Sequence, residues 1–260
     1  MPSPKPEDVK LPDGYFIEAL VASDYEETLE LLGNIFSTNN PAAVALGIPA
    51  EVCVKCSRID LPPEKICNGL SLVIKSKSGN NEIVAFALMK PFDILQPPPS
   101  QEMLESHFST PILVRLVEKI YESSIKPGKL GLGSVMKGKS LHLAMGGTAT
   151  ELGGQGLAKC IRIAAVKHAK KKGFNSLLVE AGHPATGHIW NKYVHARKLV
   201  EIDMNNHVDS VIGGKPWEGK NVGNMILYEY RIEDKFCDSK LAFYYYLLKL
   251  LHSDASRGKN

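Results

Sequence analysis

The sequence has few features that would place the protein in a membrane or in an oxidising compartment. Its longest apolar run, 241–248, is too short to span a bilayer, and the first thirteen residues are polar and rich in proline. The five cysteines are odd in number and irregularly spaced, so they do not form the pattern of a disulfide framework. These absences predict a cytoplasmic protein with no membrane partner.

The sequence also lacks a recognisable set of metal ligands and a strong charge of either sign. Cys53 and Cys56 form a Cys-x-x-Cys pair, but no second pair and no nearby histidine completes a zinc set, so we interpret both as structural thiols. A formal net charge of +3 is close to balance and gives no argument for a nucleic-acid partner. We therefore expect neither a metal nor a nucleic acid.

The most informative stretch is the glycine-rich run 146–158. The apolar residues 140–145 before it predict a β-strand. After it, apolar residues recur every three or four positions up to Ala169, with Lys159, Arg162 and other basic residues largely between them, which predicts an amphipathic helix that Gly173 ends. A strand, a glycine-rich turn and a helix N-terminus together can bind a phosphate group.

The glycine spacing excludes two common phosphate-binding loops. A Walker loop needs Lys-Ser/Thr after its last glycine, whereas Leu157 follows Gly156, and the spacing of a dinucleotide fingerprint is missing as well. The run 153–158 does match Arg/Gln-x-x-Gly-x-Gly/Ala, with Gly153 at the Arg/Gln position. This stretch resembles motif A of the GNAT acetyltransferase superfamily, which holds the pyrophosphate of acetyl-coenzyme A.

The resemblance implies acetyl-coenzyme A (acetyl-CoA) as cosubstrate, with no metal. The residues that it implies for cosubstrate binding lie on the strand, the turn, the helix start and the next helix: Leu143, Ala144, Met145, Thr148, Gly153, Gly154, Gln155, Gly156, Leu157, Ala158, His183 and Trp190. Gly153 lacks the charge-assisted hydrogen bond of an arginine, which is worth roughly 1.5–3 kcal/mol, and Lys159 or Lys139 would have to compensate.

The order of the predicted elements also resembles this superfamily, most closely the arylalkylamine N-acetyltransferases. The chain begins with a predicted strand at 15–20, a helix capped by Ser23 or Asp24, and a hairpin of 70–75 and 83–89. The glycine-rich run is followed by a strand at 176–181, a helix at 183–193 and strands at 198–202 and 224–231. The resemblance implies an α/β GNAT fold, a mixed central sheet of about six to seven strands with helices on both faces.

The domain organisation follows from the same order. We expect a flexible tail at 1–13, one GNAT-like domain at 14–235, and a C-terminal helix and tail at 236–260. Residues 93–137 form an insertion whose core is a helix that starts near Pro111. The C-terminal helix with its three adjacent tyrosines packs on the domain or, alternatively, forms a dimer contact, so the protein is a monomer or a homodimer.

The catalytic residues are less clear from the sequence. His142 lies where serotonin N-acetyltransferase has the first of two strand histidines, which makes it the candidate general base, whereas Ala144 stands at the second position. Glu151 is a weaker candidate for this role, because a carboxylate beside the phosphate site repels the ligand. Tyr193 is the candidate general acid, because Trp190 occupies the family's tyrosine position and an indole cannot donate a proton to a thiolate.

Asn40 occupies the place of a proposed glutamate base in the arylalkylamine-type enzymes. An amide cannot accept a proton at neutral pH, so that role is lost, and Asn39-Asn40-Pro41 is interpreted as a turn. The resulting hypothesis is an acetyl-CoA-dependent N-acetyltransferase that acts on a small primary amine by direct attack. The alternatives are a catalytically weak acyl-CoA-binding protein and a protein N-acetyltransferase.

Overall fold

The computed structural model describes residues 10–92, 99–124 and 139–232. Seven strands form one sheet: β1 (Tyr15–Ala19), β2 (Leu72–Ser76), β3 (Ile83–Pro91), β4 (Ser140–Thr148), β5 (Ser176–Ala181), β6 (Arg197–Asp203) and β7 (Asn224–Arg231). Their order in the sheet is β1-β2-β3-β4-β5-β7-β6. All neighbours are antiparallel except β4 and β5, which are parallel, so the sheet is mixed as predicted.

The described residues also form eight α-helices. They are α1 (Tyr25–Asn39), α2 (Pro41–Ala45), α3 (Ala50–Asp60), α4 (Pro63–Ile66), α5 (Gln101–Leu104), α6 (Thr110–Ser124), α7 (Leu157–Lys171) and α8 (Pro184–Lys192). Short 3-10 turns lie at Ala22–Asp24 and Thr150–Leu152. None of the helices within the described ranges is long and apolar enough to cross a membrane.

Helices cover both faces of the sheet. Successive side chains of a strand point to opposite faces, and on β2 Ile74 packs in the same cluster as Ile161 of α7, whereas its neighbour Val73 packs with Leu29 of α1. A third cluster joins α6 to the β5, β6 and β7 side of the sheet. Full burial of a side chain such as Leu29 contributes about 1.5–3 kcal/mol to stability, so these clusters hold the layers together.

The predicted strands, the helix after the glycine-rich run and the helix beginning near Pro111 are confirmed. The end of α7 is also as predicted, because Gly173 follows it with a φ of +82°, a conformation that favours glycine. The helix α3 was not predicted. Cys53 and Cys56 lie on it, and Cys56 Sγ is 3.0 Å from Ser106 Oγ.

Two details of the prediction around β4 and α7 are wrong. Gly146 and Gly147 belong to β4 and not to the turn, because they pair with β3. A Cβ on Gly147 would lie 2.8 Å from a ring atom of Phe86 and 2.9 Å from Ile35, so the absence of a side chain lets α1 and β3 close over the strand. Arg162 was placed among the polar residues of the helix, yet it is buried, with 5% of its surface exposed.

Several predictions lie outside the described residues. They concern most of the N-terminal tail, both ends of the insertion at 93–98 and 125–137, the C-terminal helix and tail, and the alternative of a dimer contact through that helix. The division into domains likewise remains a prediction.

Candidate active site

The parallel strands β4 and β5 diverge after a short ladder. Their pairs run from Ser140 with Ser176 to His142 with Leu178. Beyond this point β5 remains paired with β7, and β4 remains paired with β3 up to Thr148. The edge of β4 that faces β5 is therefore free to pair with an extended ligand in the way that a sheet edge binds a peptide strand.

A bulge in β4 marks the start of this opening. Leu88 pairs with Met145 and Met89 pairs with Leu143, which leaves Ala144 without a partner on β3. Because of this extra residue, Ala144 and Met145 both pack against the cluster on the α1 side instead of alternating between the faces. The bulge changes the direction of the β4 backbone at the place where β4 and β5 separate.

The N-terminus of α7 lies beyond the end of β4 and has no side-chain cap. Gly154 and Gly156 both have a φ of +82°, and Gly156 is the cap residue. Within the described ranges, the backbone N–H groups of Gly154, Gly156, Leu157 and Ala158 donate no hydrogen bond. Free N–H groups at the positive end of a 15-residue helix favour an anion.

The loop that carries these N–H groups is fixed from two sides. Asn39, the last residue of α1, donates from Nδ2 to Thr150 Oγ1 at 2.6 Å, and the Tyr15 hydroxyl donates to Gln155 Oε1 at 3.0 Å. The side chain of Gln155 is thus engaged with β1. The hydroxyl of Thr148, at the end of β4, is buried and has no hydrogen-bond partner in the described part of the chain.

Asn40 joins two helices instead of lying in the predicted turn, because Asn39 ends α1 and Pro41 begins α2. Its Oδ1 accepts hydrogen bonds from the backbone N–H groups of Ala42 and Ala43, both at 3.1 Å, so Asn40 is the N-cap of α2. The side-chain oxygen is thus engaged in starting a helix.

His142 is the last residue of β4 that pairs with β5, and it contacts a buried carboxylate. Its Nε2 is 2.9 Å from Glu180 Oε2, and the Tyr121 hydroxyl of α6 donates a hydrogen bond to Glu180 Oε1. The His142 and Glu180 side chains are only 13% and 10% exposed. The sequence pointed to His142 and missed Glu180 and Tyr121, although a charged residue inside the apolar strand β5 was an available signal.

The hydrogen bonds define the protonation of this group. Burial by itself raises the pKa of Glu180, but the His142 ring and the hydrogen bonds from His142 and Tyr121 outweigh burial and bring this pKa below its ordinary value. Burial, followed by the negative charge of Glu180, raises the pKa of Tyr121 well above its ordinary value. Glu180 is therefore an ionised acceptor and Tyr121 a protonated donor at neutral pH.

In the neutral form of His142, the second ring nitrogen is an acceptor. Because Glu180 can only accept, the neutral imidazole carries its proton on Nε2 and has a lone pair on Nδ1. This Nδ1 is buried and has no hydrogen-bond partner among the described residues. Phe92 and Tyr121 flank the ring, with centroids 6.0 Å and 6.3 Å away in edge-on geometry. The arrangement is a histidine held by a carboxylate, beside an aromatic surface.

The structure does not bring the other predicted catalytic residue to this place. Tyr193 follows α8, and the Nζ atoms of Lys159 and Lys192 lie 4.7 Å and 5.4 Å from the centre of its ring. In the described part of the chain, no hydrogen bond or ring contact links Tyr193 to His142. Tyr193 thus lies beside the first turn of α7, and its role as general acid remains a prediction. Glu151 lies exposed in the 3-10 turn before α7.

His183 and Trp190 differ in their access to solvent. His183 is exposed and caps α8, where its Nδ1 accepts from the Ala185 N–H at 3.1 Å. Trp190 is fully buried in the cluster that contains α7, and its Nε1 has no partner among the described residues. A ligand would reach the indole only after neighbouring side chains move.

The described ranges contain no group of three or more His, Cys, Asp or Glu side chains able to hold a metal ion. Cys53 of the Cys-x-x-Cys pair does not provide a reactive thiolate either. Burial is the main cause that raises the pKa of Cys53 to about 11.

A mixed seven-stranded sheet, strands that diverge beside a glycine-rich turn, and a helix that starts at that turn together define a GNAT-like fold. Solved structures of N-acetyltransferases agree with this class. Arylalkylamine N-acetyltransferase 2 from Aedes aegypti superposes with a TM-score of 0.66 over 85% of this chain and 100% of that one, at 15% identity. The polyamine N-acetyltransferase of Drosophila melanogaster superposes with a TM-score of 0.53 over 84% of this chain and 100% of that one, at 11% identity.

A third similar structure is the C-terminal condensation domain of Ebony in complex with beta-alanyl-dopamine, with a TM-score of 0.63 over 84% of this chain and 99% of that one, at 18% identity. At these identities the likeness establishes the fold. No protein-family model and no curated protein matches the sequence.

Proposed function

We propose that the protein is an acetyl-CoA-dependent N-acetyltransferase that transfers acetyl to a small primary amine by direct attack in a ternary complex. The observation that carries this proposal is the divergence of β4 and β5, which begins at His142 and leaves one edge of β4 unpaired up to Thr148, before the free N–H groups of α7. The similar structures support it, because two of them are N-acetyltransferases of arylalkylamines and polyamines.

The dimensions of the opening fit the donor. From His142 to Thr148 the strand β4 extends over about 20 Å at about 3.3 Å per residue. A pantetheine arm has about 13 bonds between sulfur and phosphorus and reaches roughly 15 Å when extended. With the phosphate at the α7 N-terminus and the arm extended along β4, we place the thioester near the bulge at Ala144, close to His142.

The roles of the residues follow from this placement. The free edge of β4 from Leu143 to Thr148 pairs with the amides of the arm, and a backbone N–H of the same segment polarises the thioester carbonyl. The N–H groups of Gly154, Gly156, Leu157 and Ala158 hold the pyrophosphate. Gly153 and Gln155 shape the loop, and His183 lies at the opposite side of the opening.

His142 is the proposed general base, and Glu180 positions it. The amine attacks the carbonyl carbon, so a C–N bond forms as the C–S bond breaks, and the amine proton passes to Nδ1 of His142. Glu180 holds the Nε2–H tautomer and stabilises the imidazolium that results, as the carboxylate of a catalytic triad does. The thiolate takes up a proton from Tyr193 or from water.

The aromatic side chains beside His142 favour an amine that carries an aromatic ring. Phe92 and Tyr121 have ring centroids 5.2 Å apart, and both rings meet the His142 ring edge-on. Such a pair offers an apolar surface for ring contacts worth about 0.5–1.5 kcal/mol beyond burial. We therefore place arylalkylamines before polyamines as acceptors.

The test is a thiol-release assay with acetyl-CoA and a panel of arylalkylamines, alkylamines and polyamines. The proposal predicts turnover with at least one arylalkylamine and a fall in kcat of about 10²–10⁴ for His142→Gln, with little change in the KM for acetyl-CoA. His195→Gln is the matched control, because His195 is exposed. Tight binding of acetyl-CoA without turnover of any amine would favour an acyl-CoA-binding protein, and turnover of peptides alone would favour a protein N-acetyltransferase.

A further inference from the structure

The guanidinium of Arg162 lies inside the protein and has no acidic partner among the described residues. Arg162 belongs to α7 and is 5% exposed. Its Nη1 donates to the carbonyl oxygen of Ala158 at 2.9 Å, while Nε is buried and has no partner in the part of the chain that the structure describes. Burial lowers the pKa of Arg162 to about 10, so the side chain remains charged at neutral pH. An unpaired buried charge is costly, which indicates that an anion completes the site.

The position of this charge is defined by three elements. The hydrogen bond to Ala158 places the guanidinium beside the first turn of α7, where the N–H groups are free. Its Nη2 lies 3.9 Å from the place where a Cβ on Gly146 would be, so it also borders the end of β4. Burial and then the charge of Arg162 lower the pKa of His183, which caps α8. The guanidinium thus lies between the ends of the two diverging strands.

We propose that Arg162 binds the phosphate oxygens of the acyl donor together with the N–H groups of Gly154, Gly156, Leu157 and Ala158. It supplies the positive charge that Gly153 lacks at the arginine position of the motif. A guanidinium donates two parallel hydrogen bonds to an oxyanion, which a lysine on the surface cannot do. This inference rests on the proposed function for the identity of the donor, but not for the anion site itself.

The experiment measures anion binding by calorimetry for the wild type, Arg162→Met and Arg162→Lys. The probes are inorganic pyrophosphate, coenzyme A and pantetheine, which lacks the pyrophosphate. We expect Arg162→Met to bind pyrophosphate and coenzyme A about ten- to a hundredfold more weakly, with pantetheine unaffected. Arg162→Lys keeps the positive charge but not the two parallel donors of a guanidinium. Its affinity for pyrophosphate and coenzyme A should therefore lie between those of the wild type and Arg162→Met. Arg58→Met is the control, because Arg58 is 51% exposed and pairs with Glu26.

The outcomes separate this inference from the proposed function. Equal binding of pyrophosphate and coenzyme A by the wild type and a folded Arg162→Met would overturn the role of Arg162 while leaving the acetyltransferase intact. Binding of pyrophosphate that depends on Arg162, without binding of coenzyme A or acetyl-CoA, would support the anion site and contradict the acyl-CoA function.

A carboxylate on the acyl chain is the other oxyanion that Arg162 could hold. Acetyl-CoA and succinyl-CoA distinguish the two sources. If Arg162 binds phosphate, the Arg162→Met variant loses affinity for both thioesters by the same factor. A wild-type preference for succinyl-CoA that disappears in the variant, with acetyl-CoA unchanged, would overturn the phosphate assignment.

Discussion

Replacement of Glu180 by glutamine tests how the buried carboxylate controls His142. In the wild type, Glu180 accepts hydrogen bonds from His142 Nε2 and from the Tyr121 hydroxyl. Glutamine has the same shape but brings an NH₂ donor. If Tyr121 continues to donate to the amide oxygen, the NH₂ group faces Nε2, which must then accept. The proton of the neutral ring moves to Nδ1, and the acceptor that would take the amine proton is lost.

The size of the effect follows from the burial of the pair. The Glu180 side chain is 10% exposed, so water cannot replace the missing acceptor. Loss of general-base catalysis lowers kcat by about 10²–10⁴. Because the wrong tautomer of His142 has no free acceptor for the amine proton, we expect the fall in kcat to lie in the upper part of that range. The KM for acetyl-CoA should change little, because its proposed contacts lie on β4 and α7 and not on Glu180.

Two measurements check this prediction. Nitrogen-15 NMR of the histidine side chains should place the proton of His142 on Nε2 in the wild type and on Nδ1 in Glu180→Gln, whether or not the acceptor amine is known. Thiol release should show the fall in kcat, whereas Glu201→Gln, on the exposed face of β6, should keep wild-type kcat. A wild-type His142 protonated on Nδ1, or a kcat of Glu180→Gln within a factor of two of the wild type, would refute the reasoning.

Three further predictions concern stability. A lowering of the Arg162 pKa from 12.5 to about 10 corresponds to roughly 3 kcal/mol of unfavourable burial of the charge. Calorimetry of the ligand-free protein should therefore give Arg162→Met a Tm several degrees above that of the wild type. A lower Tm would contradict an unpaired buried charge at this position. Gly147→Ala should lose about 1–3 kcal/mol in urea unfolding because its Cβ meets a phenylalanine ring at 2.8 Å, whereas Gly214→Ala meets nothing within 4 Å and should be nearly neutral. Burial raises the pKa of Asp209, but hydrogen bonds from Arg115 and two backbone N–H groups outweigh burial and bring this pKa below 3.8. The contribution of ionised Asp209 to folding stability is therefore present at neutral pH and is lost as pH falls through the lower folded-state pKa. Asp209→Asn should therefore be about 3 kcal/mol less stable than the wild type at pH 7 and differ less near pH 2, and a difference independent of pH would contradict the ion pair.

The parts of the fold that sequence predicts are those set by local pattern. The apolar run before the glycines, the period of the helix after them and Gly173 at its end are each properties of a few neighbouring residues, and they were sufficient for the strand, turn and helix. The boundary of β4 was misjudged because Gly146 and Gly147 are typical of turns. Their place in a strand depends on Phe86 and Ile35, which are distant in sequence.

The arrangement of the site could not be predicted in the same way. Glu180 meets His142 across 38 residues of sequence and Tyr121 across 59, so their association depends on how the strands and α6 pack. Arg162 is ordinary in a basic amphipathic helix, and its burial follows from the position of the bare backbone at Gly146. Local periodicity contains no information on either contact.

The central claim is that the opening between β4 and β5 binds acetyl-CoA, with its phosphates at the start of α7. The most direct measurement is a calorimetric titration of the full chain with acetyl-CoA. We expect saturable binding of one molecule per chain, which weakens in Arg162→Met and persists in Glu180→Gln. Absence of binding to the folded wild-type protein would contradict the proposed function.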